Sequence, residues 1–328
     1  SSDGNTVAIG ARQNDGNGSN AGHVRIYNYN GSSWTQLGND IDGEAASDAS
    51  GRSVSLSSNG NTVAIGAHSN DGNGTDAGHV RIYNYNGTSW NQLGNDIDGE
   101  AAGDQSGVSV SLNSDGNTVA IGAINNDGNG SNSGHVRIYN YNGISWNQLG
   151  NDIDGEAASD ASGRSVSLSS NGNTVAIGAH SNDGNGTDAG HVRIYNYNGT
   201  SWNQLGNDID GEAAGDQSGV SVSLNSDGNT VAIGAINNDG NGSYSGHVRI
   251  CNYNGTSWNQ LGQDIDGEAA VDYSGTSVSL SSNGNTVAIG ASENDGNGTD
   301  AGHVRIYSTF PSPEITSISP DNSDQGQT

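Results

Sequence analysis

The chain has 328 residues, 36 acids against nine bases, and a formal net charge of -27; every base is arginine. No apolar run approaches the ~20 residues a membrane-spanning helix needs. A lysine-free acidic surface is repelled by anionic lipid, and no basic stripe is available to neutralise the phosphates of a nucleic acid. The single cysteine, Cys251, excludes an internal disulfide framework and any multi-thiolate metal site within the chain. Low hydrophobicity with charge imbalance also suits disorder, but the apolar residues are β-branched and evenly spaced, so an ordered fold is expected.

Self-similarity organises the sequence. The segment NTVAIGA begins at Asn5, Asn61, Asn117, Asn173, Asn229 and Asn285, a period of 56 residues without slippage. His23, His79, His135, His191, His247 and His303 keep the same spacing, as do the tryptophans from Trp34 to Trp258. Residues 45–143 recur at 157–255 with two changes, where Tyr244 replaces the counterpart of Asn132 and Cys251 that of Tyr139. A two-repeat block has been duplicated.

In chain order, one period reads as four strands. SVSL (53–56) alternates, with Val54 and Leu56 on one face, and SNGN (58–61) is a tight turn, because Asn-Gly readily takes positive φ. TVAIGA (62–67) is the second strand, with Val63 and Ile65 opposite Ala64 and Gly66; the loop 68–78 follows. HVRIYNY (79–85) is the third, placing Val80 and Ile82 opposite His79, Arg81 and Tyr83. NGTS (86–89) is another turn, WNQLG (90–94) opens the fourth strand, and residues 96–107 return to the next repeat. Strands split by Gly/Asn turns, with no helical periodicity, predict an all-β array.

Four antiparallel strands per repeat match the blade of a β-propeller. A β-helix is the competing architecture, but its coils are shorter and lack hairpins. Six blades are expected, the terminal ones partly incomplete. The frame SGxSVSLSxxGNTVAIGA…GHVRIY, as at 106–139, resembles the FG-GAP repeat of integrin α-type propellers. Gly107 matches the FG glycine, with Ser106 in place of the aromatic; Ile121, Gly122 and Ala123 match the start of GAP, with Ile124 in place of the proline. The WxQLG and DIDGEAAGD segments are closer to a variant FG-GAP class of surface and secreted repeat proteins. The resemblance covers 1–307 and implies a seven-bladed ring in the intact protein, at the cell surface or outside the cell. Missing strands at both ends are expected to mark a fragment of a longer, multi-domain chain.

After Tyr307 the composition changes. All three prolines (Pro311, Pro313, Pro320) and the only phenylalanine, Phe310, lie here. Residues 308–313 read as a linker. Residues 314–328 resemble the opening of an Ig-like IPT/TIG domain.

Strand order sorts the charge. Asp3, Asp115 and Asp227 fall on the rim that carries the turns between strands one and two, and Glu314, Asp321 and Asp324 in the tail. The remaining acids belong to the opposite rim. Two loop types supply them. In NDGNG[ST], oxygen donors recur at i, i+2 and i+4 in the manner of a calcium loop. These are Asp15 and Asn17; Asp71, Asn73 and Thr75; Asp127 and Asn129; Asp183, Asn185 and Thr187; Asp239 and Asn241; and Asp295, Asn297 and Thr299. In DIDGE they are Asp40, Asp42 and Glu44; Asp96, Asp98 and Glu100; Asp152, Asp154 and Glu156; Asp208, Asp210 and Glu212; and Asp264, Asp266 and Glu268. Calcium is the possible ligand. The same acids also suit turn capping and solvation. The integrin-type calcium position, between strands one and two, is here a short S-[DN]-G-N turn, so those ligands do not transfer.

Arg81, facing a neighbouring blade, requires a carboxylate, for which Glu100 or Asp104 is the candidate. Each third-strand histidine has no second histidine near it in sequence, so a structural hydrogen bond is expected. Ser, His and Asp sit in every blade, whereas an active site needs one asymmetric constellation, so no enzyme activity is expected. The non-repeated residues are Cys251, Tyr244, Tyr273 and Phe310. Together these features predict an adhesion or binding module with an unknown protein or glycan ligand and cation-dependent contacts on the acidic rim. A structural spacer is the alternative, and a carbohydrate-active propeller enzyme a third.

Overall fold

The computed structural model describes residues 1–308, as 27 strands and no helix. The expected Ig-like start at 314–328, and the linker beyond residue 308, lie outside the described residues. Among the described residues no helix is long and apolar enough to cross a membrane.

Six antiparallel sheets follow one another as the blades of a propeller. In the third blade Ser106–Leu112 is innermost, followed outward by Thr118–Ala123 and His135–Tyr141. The tight turns form as the sequence predicts. In one, Gly143 has φ +96°, and the Asn142 side-chain oxygen accepts the amides of Ile144 and Ser145, both at 2.9 Å.

The outer strand differs from expectation. It is broken into Trp146–Gln148, paired with Tyr139–Tyr141, and Ile153–Asp154, paired with His135 and Val136. The DIDGE segment is therefore partly strand and not wholly a returning loop. A positive-φ glycine marks the break in each of the five described outer strands: Gly38, Gly94, Gly150, Gly206 and Gly262. Gly150 takes φ +71° and the Leu149 carbonyl accepts the indole N–H of Trp202 from the next blade at 2.7 Å.

Between blades the branched face of one sheet meets the small-residue face of the preceding one. Val110, Leu112, Val119 and Ile121 pack on Ala64, Val80 and Ile82 of the second blade, with Tyr139 and Trp146 at the border. The serines of the inner strand, which keep hydrophobicity low, hydrogen-bond between sheets. Ser109 Oγ donates to the Gly163 carbonyl at 2.7 Å, and the Leu168 amide donates to Ser111 Oγ at 2.9 Å. Nearer the axis, backbone amides link successive blades, Ser58 to Ser114 at 2.9 Å and Ser114 to Ser170 at 3.1 Å. This end of the channel is a cavity of about 470 Å³ lined by Leu56, Leu112, Leu168, Leu224 and Leu280 with serines. The first and last blades expose apolar positions that inner blades bury, including Ile9, Val304 and Ile306.

Candidate functional site: the acidic rim

Both acidic loop types lie on the rim opposite that cavity, and the backbone knits them together. Asn129 Nδ2 donates to the carbonyls of Gly155 and Glu156, both at 2.9 Å, tying the first loop to the second within a blade. Asn17, Asn73, Asn185 and Asn241 do the same in their blades. The returning segment then lies along the first loop, through Ser159 N to Ser131 O at 2.8 Å and Ser162 N to Ser133 O at 2.9 Å.

The aspartates of the first loop build turns. Asp127 Oδ1 accepts the amide of Asn132 at 2.8 Å, and Asn132 has φ +53°. Asp15, Asp71, Asp183, Asp239 and Asp295 hold the residue five positions on in the same way. A carboxylate fixing a left-handed residue accounts for this spacing without an ion.

The second loop enters a different cluster. Glu100, His135 and Asp152 converge, as do Glu44, His79 and Asp96; Glu156, His191 and Asp208; and Glu212, His247 and Asp264. The glutamate comes from one blade and the other two residues from the next. His23, Asp40 and Asp42 form a group within the first blade. Asp98, Asp154, Asp210 and Asp266 lie in the outer strand fragment; the backbone carbonyl of Asp98 accepts Arg137 Nη2 at 2.6 Å.

The arginine pairing differs from expectation by one repeat. Arg81 Nη1 lies 3.4 Å from Glu44 of the preceding blade, and Glu100 instead faces Arg137 at 3.7 Å. Asp104 pairs with no arginine; buried, it accepts the Ala101 amide at 3.0 Å and Asn126 Nδ2 at 3.1 Å. The hydrogen bond expected of the histidines is also missing at His135. This residue is 1% exposed, and its Nδ1 stands 3.8 Å from both Glu100 and Asp152 with no hydrogen-bond partner. Burial, then the Arg137 charge, pushes its pKa down to about 4. Burial, with Asp152, Asp104 and Asp154 around it, raises the Glu100 pKa against the opposing pull of Arg137. Crowded carboxylates thus meet a neutral imidazole.

Two groupings were not legible in the repeat. Arg25, Arg81, Arg137, Arg193, Arg249 and Arg305 pair with carboxylates, whereas Arg12, Arg52 and Arg164 do not among the described residues. Arg52 and Arg164 sit at or beside the start of inner strands, where other blades carry Val108, Val220 and Thr276. Burial, then the charges of Arg164 and Arg12, lowers the Arg52 pKa, so these cations lie within electrostatic reach of one another. The second grouping joins Tyr244 and Tyr273 from different blades, their rings stacked 5.9 Å apart on the acidic rim with Tyr244 46% exposed. The sequence signal for both was departure from the repeat. Cys251 is buried, which pushes its thiol up to about 11 and keeps it protonated.

Three stretches, 41–83, 97–139 and 153–195, match the model of the FG-GAP repeat. Each runs from the second outer fragment of one blade through the third strand of the next, so each contains one glutamate–arginine pair. No curated protein matches the chain. Among solved structures it is similar to the periplasmic gluconolactonase PpgL of Pseudomonas aeruginosa. Identity is 14% and the TM-score 0.56, over 87% of this chain and 75% of that one. It is also similar to a candidate 6-phosphogluconolactonase from Bacteroides uniformis at 11% identity and TM-score 0.50, over 93% and 92%. These likenesses show the propeller fold. They correct the expectation that the chain is not an enzyme: structures sharing its fold bear lactonase names, so repeat uniformity is no ground for excluding catalysis.

Proposed function

We propose that the chain is a binding module of the cell surface or extracellular space, engaging a glycan or protein through its acidic rim. The observation that carries this reading is the Tyr244–Tyr273 stack. These residues break an otherwise near-identical repeat, come from different blades, and meet on an exposed surface. Paired aromatic rings give a rigid apolar face at low entropic cost, which suits a sugar ring or a partner side chain. The surrounding carboxylates favour cationic partners or contacts bridged by divalent cations. A glycan and protein array probed with and without calcium tests this. The Tyr244→Ala/Tyr273→Ala double variant is expected to lose at least about tenfold in affinity for any hit, roughly the scale of one contact hot spot. Hits unaffected by the double variant, or no hits in either condition, would overturn the reading.

A second reading rests on the unpaired arginines. In a chain this acidic, Arg12, Arg52 and Arg164 suit an anionic small ligand near the propeller axis, since guanidinium groups bind phosphate and carboxylate by paired hydrogen bonds. Calorimetric titration with inorganic phosphate and a sugar phosphate is expected to show saturable binding that Arg52→Ala/Arg164→Ala abolishes. Binding that survives this change, or its absence from the unmodified chain, refutes the reading.

A further inference from the structure

We propose that the glutamate–histidine–aspartate groups between blades are binding sites for a transition metal of the zinc or cobalt type, each clipping one blade to the next. This goes beyond the ligand surface above and does not depend on it.

The argument starts from His135. Its imidazole is buried, its Nδ1 has no hydrogen-bond partner, and that nitrogen points between two carboxylate oxygens, Glu100 Oε2 and Asp152 Oδ2, each 3.8 Å away. An ordinary hydrogen bond would draw these atoms about 1 Å closer. Around a tetrahedral ion with bonds of about 2.1 Å, ligand atoms stand roughly 3.4 Å apart. The gap is therefore too wide for direct contact and close to what an ion requires. The same orphaned nitrogen recurs at His247 Nδ1, 3.8 Å from Glu212.

Each carboxylate has one oxygen held and one free. Asp152 Oδ1 accepts Gln148 Nε2 at 2.5 Å, leaving Oδ2 toward the histidine. Glu100 Oε1 faces Arg137 Nη1 at 3.7 Å, leaving Oε2 toward the histidine. This is how outer partners orient metal ligands. The side chains of Glu100 and Asp152 are 43% and 30% exposed, which gives the ion a way in and leaves room for water as a further ligand. One nitrogen and two carboxylates in a small group suit zinc-like ions; calcium takes six to eight oxygens. Among the described residues the inter-blade groups number four. The His23 group draws both acids from its own blade, and Arg25 already holds Asp40 through three close contacts of 2.9 to 3.0 Å, so it is excluded from the count.

Zinc titration of the whole chain by calorimetry, with cobalt read by its visible absorption, is expected to give four equivalents and a higher melting temperature. Calcium at the same concentration should give neither. Glu100→Gln and Asp152→Asn serve as variants because both side chains are partly exposed, and circular dichroism checks their folding. Each is expected to lose one equivalent, and the two combined also only one, because they share a site. Glu100→Gln with Asp96→Asn should lose two. Asp71→Asn, outside the clusters, should lose none. Absent saturable binding, an unchanged count in the variants, or loss of two equivalents in the shared-site double would each overturn the proposal. A chain that binds no array ligand but keeps four metal equivalents would sink only the binding-module reading.

Discussion

Gly178→Ala is expected to destabilise the propeller by about 3 kcal/mol or more, the upper range for overpacked interiors. Its φ is ordinary, so the cause is not backbone strain. A Cβ at this position would meet the Gly219 carbonyl oxygen of the next blade and would stand 2.5 Å from Ser165 Oγ. Neither can retreat easily. Ser165 Oγ itself donates to that carbonyl at 2.8 Å, and both belong to the inter-blade seam. The control is Gly199→Ala in a surface turn. Gly199 has φ +97° and nothing within 4 Å of its would-be Cβ. Only the positive-φ cost of about 1–2 kcal/mol applies there. Denaturant unfolding of both variants separates the two effects; equal losses would show that close approach between blades is not what the GA glycine provides.

Removing Arg137 is expected to cost more than removing the charge it faces. The buried guanidinium donates to the Asp98 carbonyl at 2.6 Å and the Tyr139 hydroxyl at 2.8 Å, and lies 5.6 Å from that ring's centroid. Arg137→Ala leaves the carbonyl and hydroxyl without this donor and opens a space between sheets, at about 2–3 kcal/mol. The full penalty for stranding a buried charge does not apply, because Glu100 is 43% exposed. Glu100→Gln keeps both of those hydrogen bonds, and its cost should stay near the ~1 kcal/mol of a solvent-screened pair. Chemical denaturation in metal-free buffer measures both. A glutamine variant less stable than the alanine variant would mean that the ion pair, and not the neutral contacts and packing, holds this corner.

The strands that repeat a period-two pattern were the most legible. Val63 and Ile65 against Ala64 and Gly66, and Val80 and Ile82 against Arg81 and Tyr83, each specify a strand buried on both faces, and the Asn-Gly turns specify antiparallel connection. The outer strand was less so. WNQ has strand character, and a positive-φ glycine marks the break after it, at Gly262 as at Gly150; what no local pattern records is that the second fragment pairs with the far end of the third strand, Ile153 with Val136.

The site was less legible for a related reason. Near-identical repeats give a residue several equivalent candidates as partner, and local sequence does not rank them. Glu44 and Glu100 are chemically alike. Only the placement of a returning loop against the following blade assigns Glu44 to Arg81 and Glu100 to Arg137. Histidines dismissed for lacking a near neighbour in sequence gain two carboxylates across and within blades, because the sheet pairs His135 with Asp154 and brings Asp152 beside it. The calcium-like spacing of Asp127 and Asn129, in turn, serves a turn and a loop-to-loop tie.

By itself, then, the sequence determined what each repeat is: four antiparallel strand positions, two faces to bury, and a negative rim. Periodicity and turn chemistry act over a few residues, and those interactions repeat with the text. Which copy touches which, and which arginines are left without a carboxylate, were decided only when the blades closed against one another. Those contacts join residues far apart in the chain, 37 positions from Glu44 to Arg81 and 57 from Ser55 to Leu112. Their energy comes from packing and desolvation between sheets, which no single repeat can express alone.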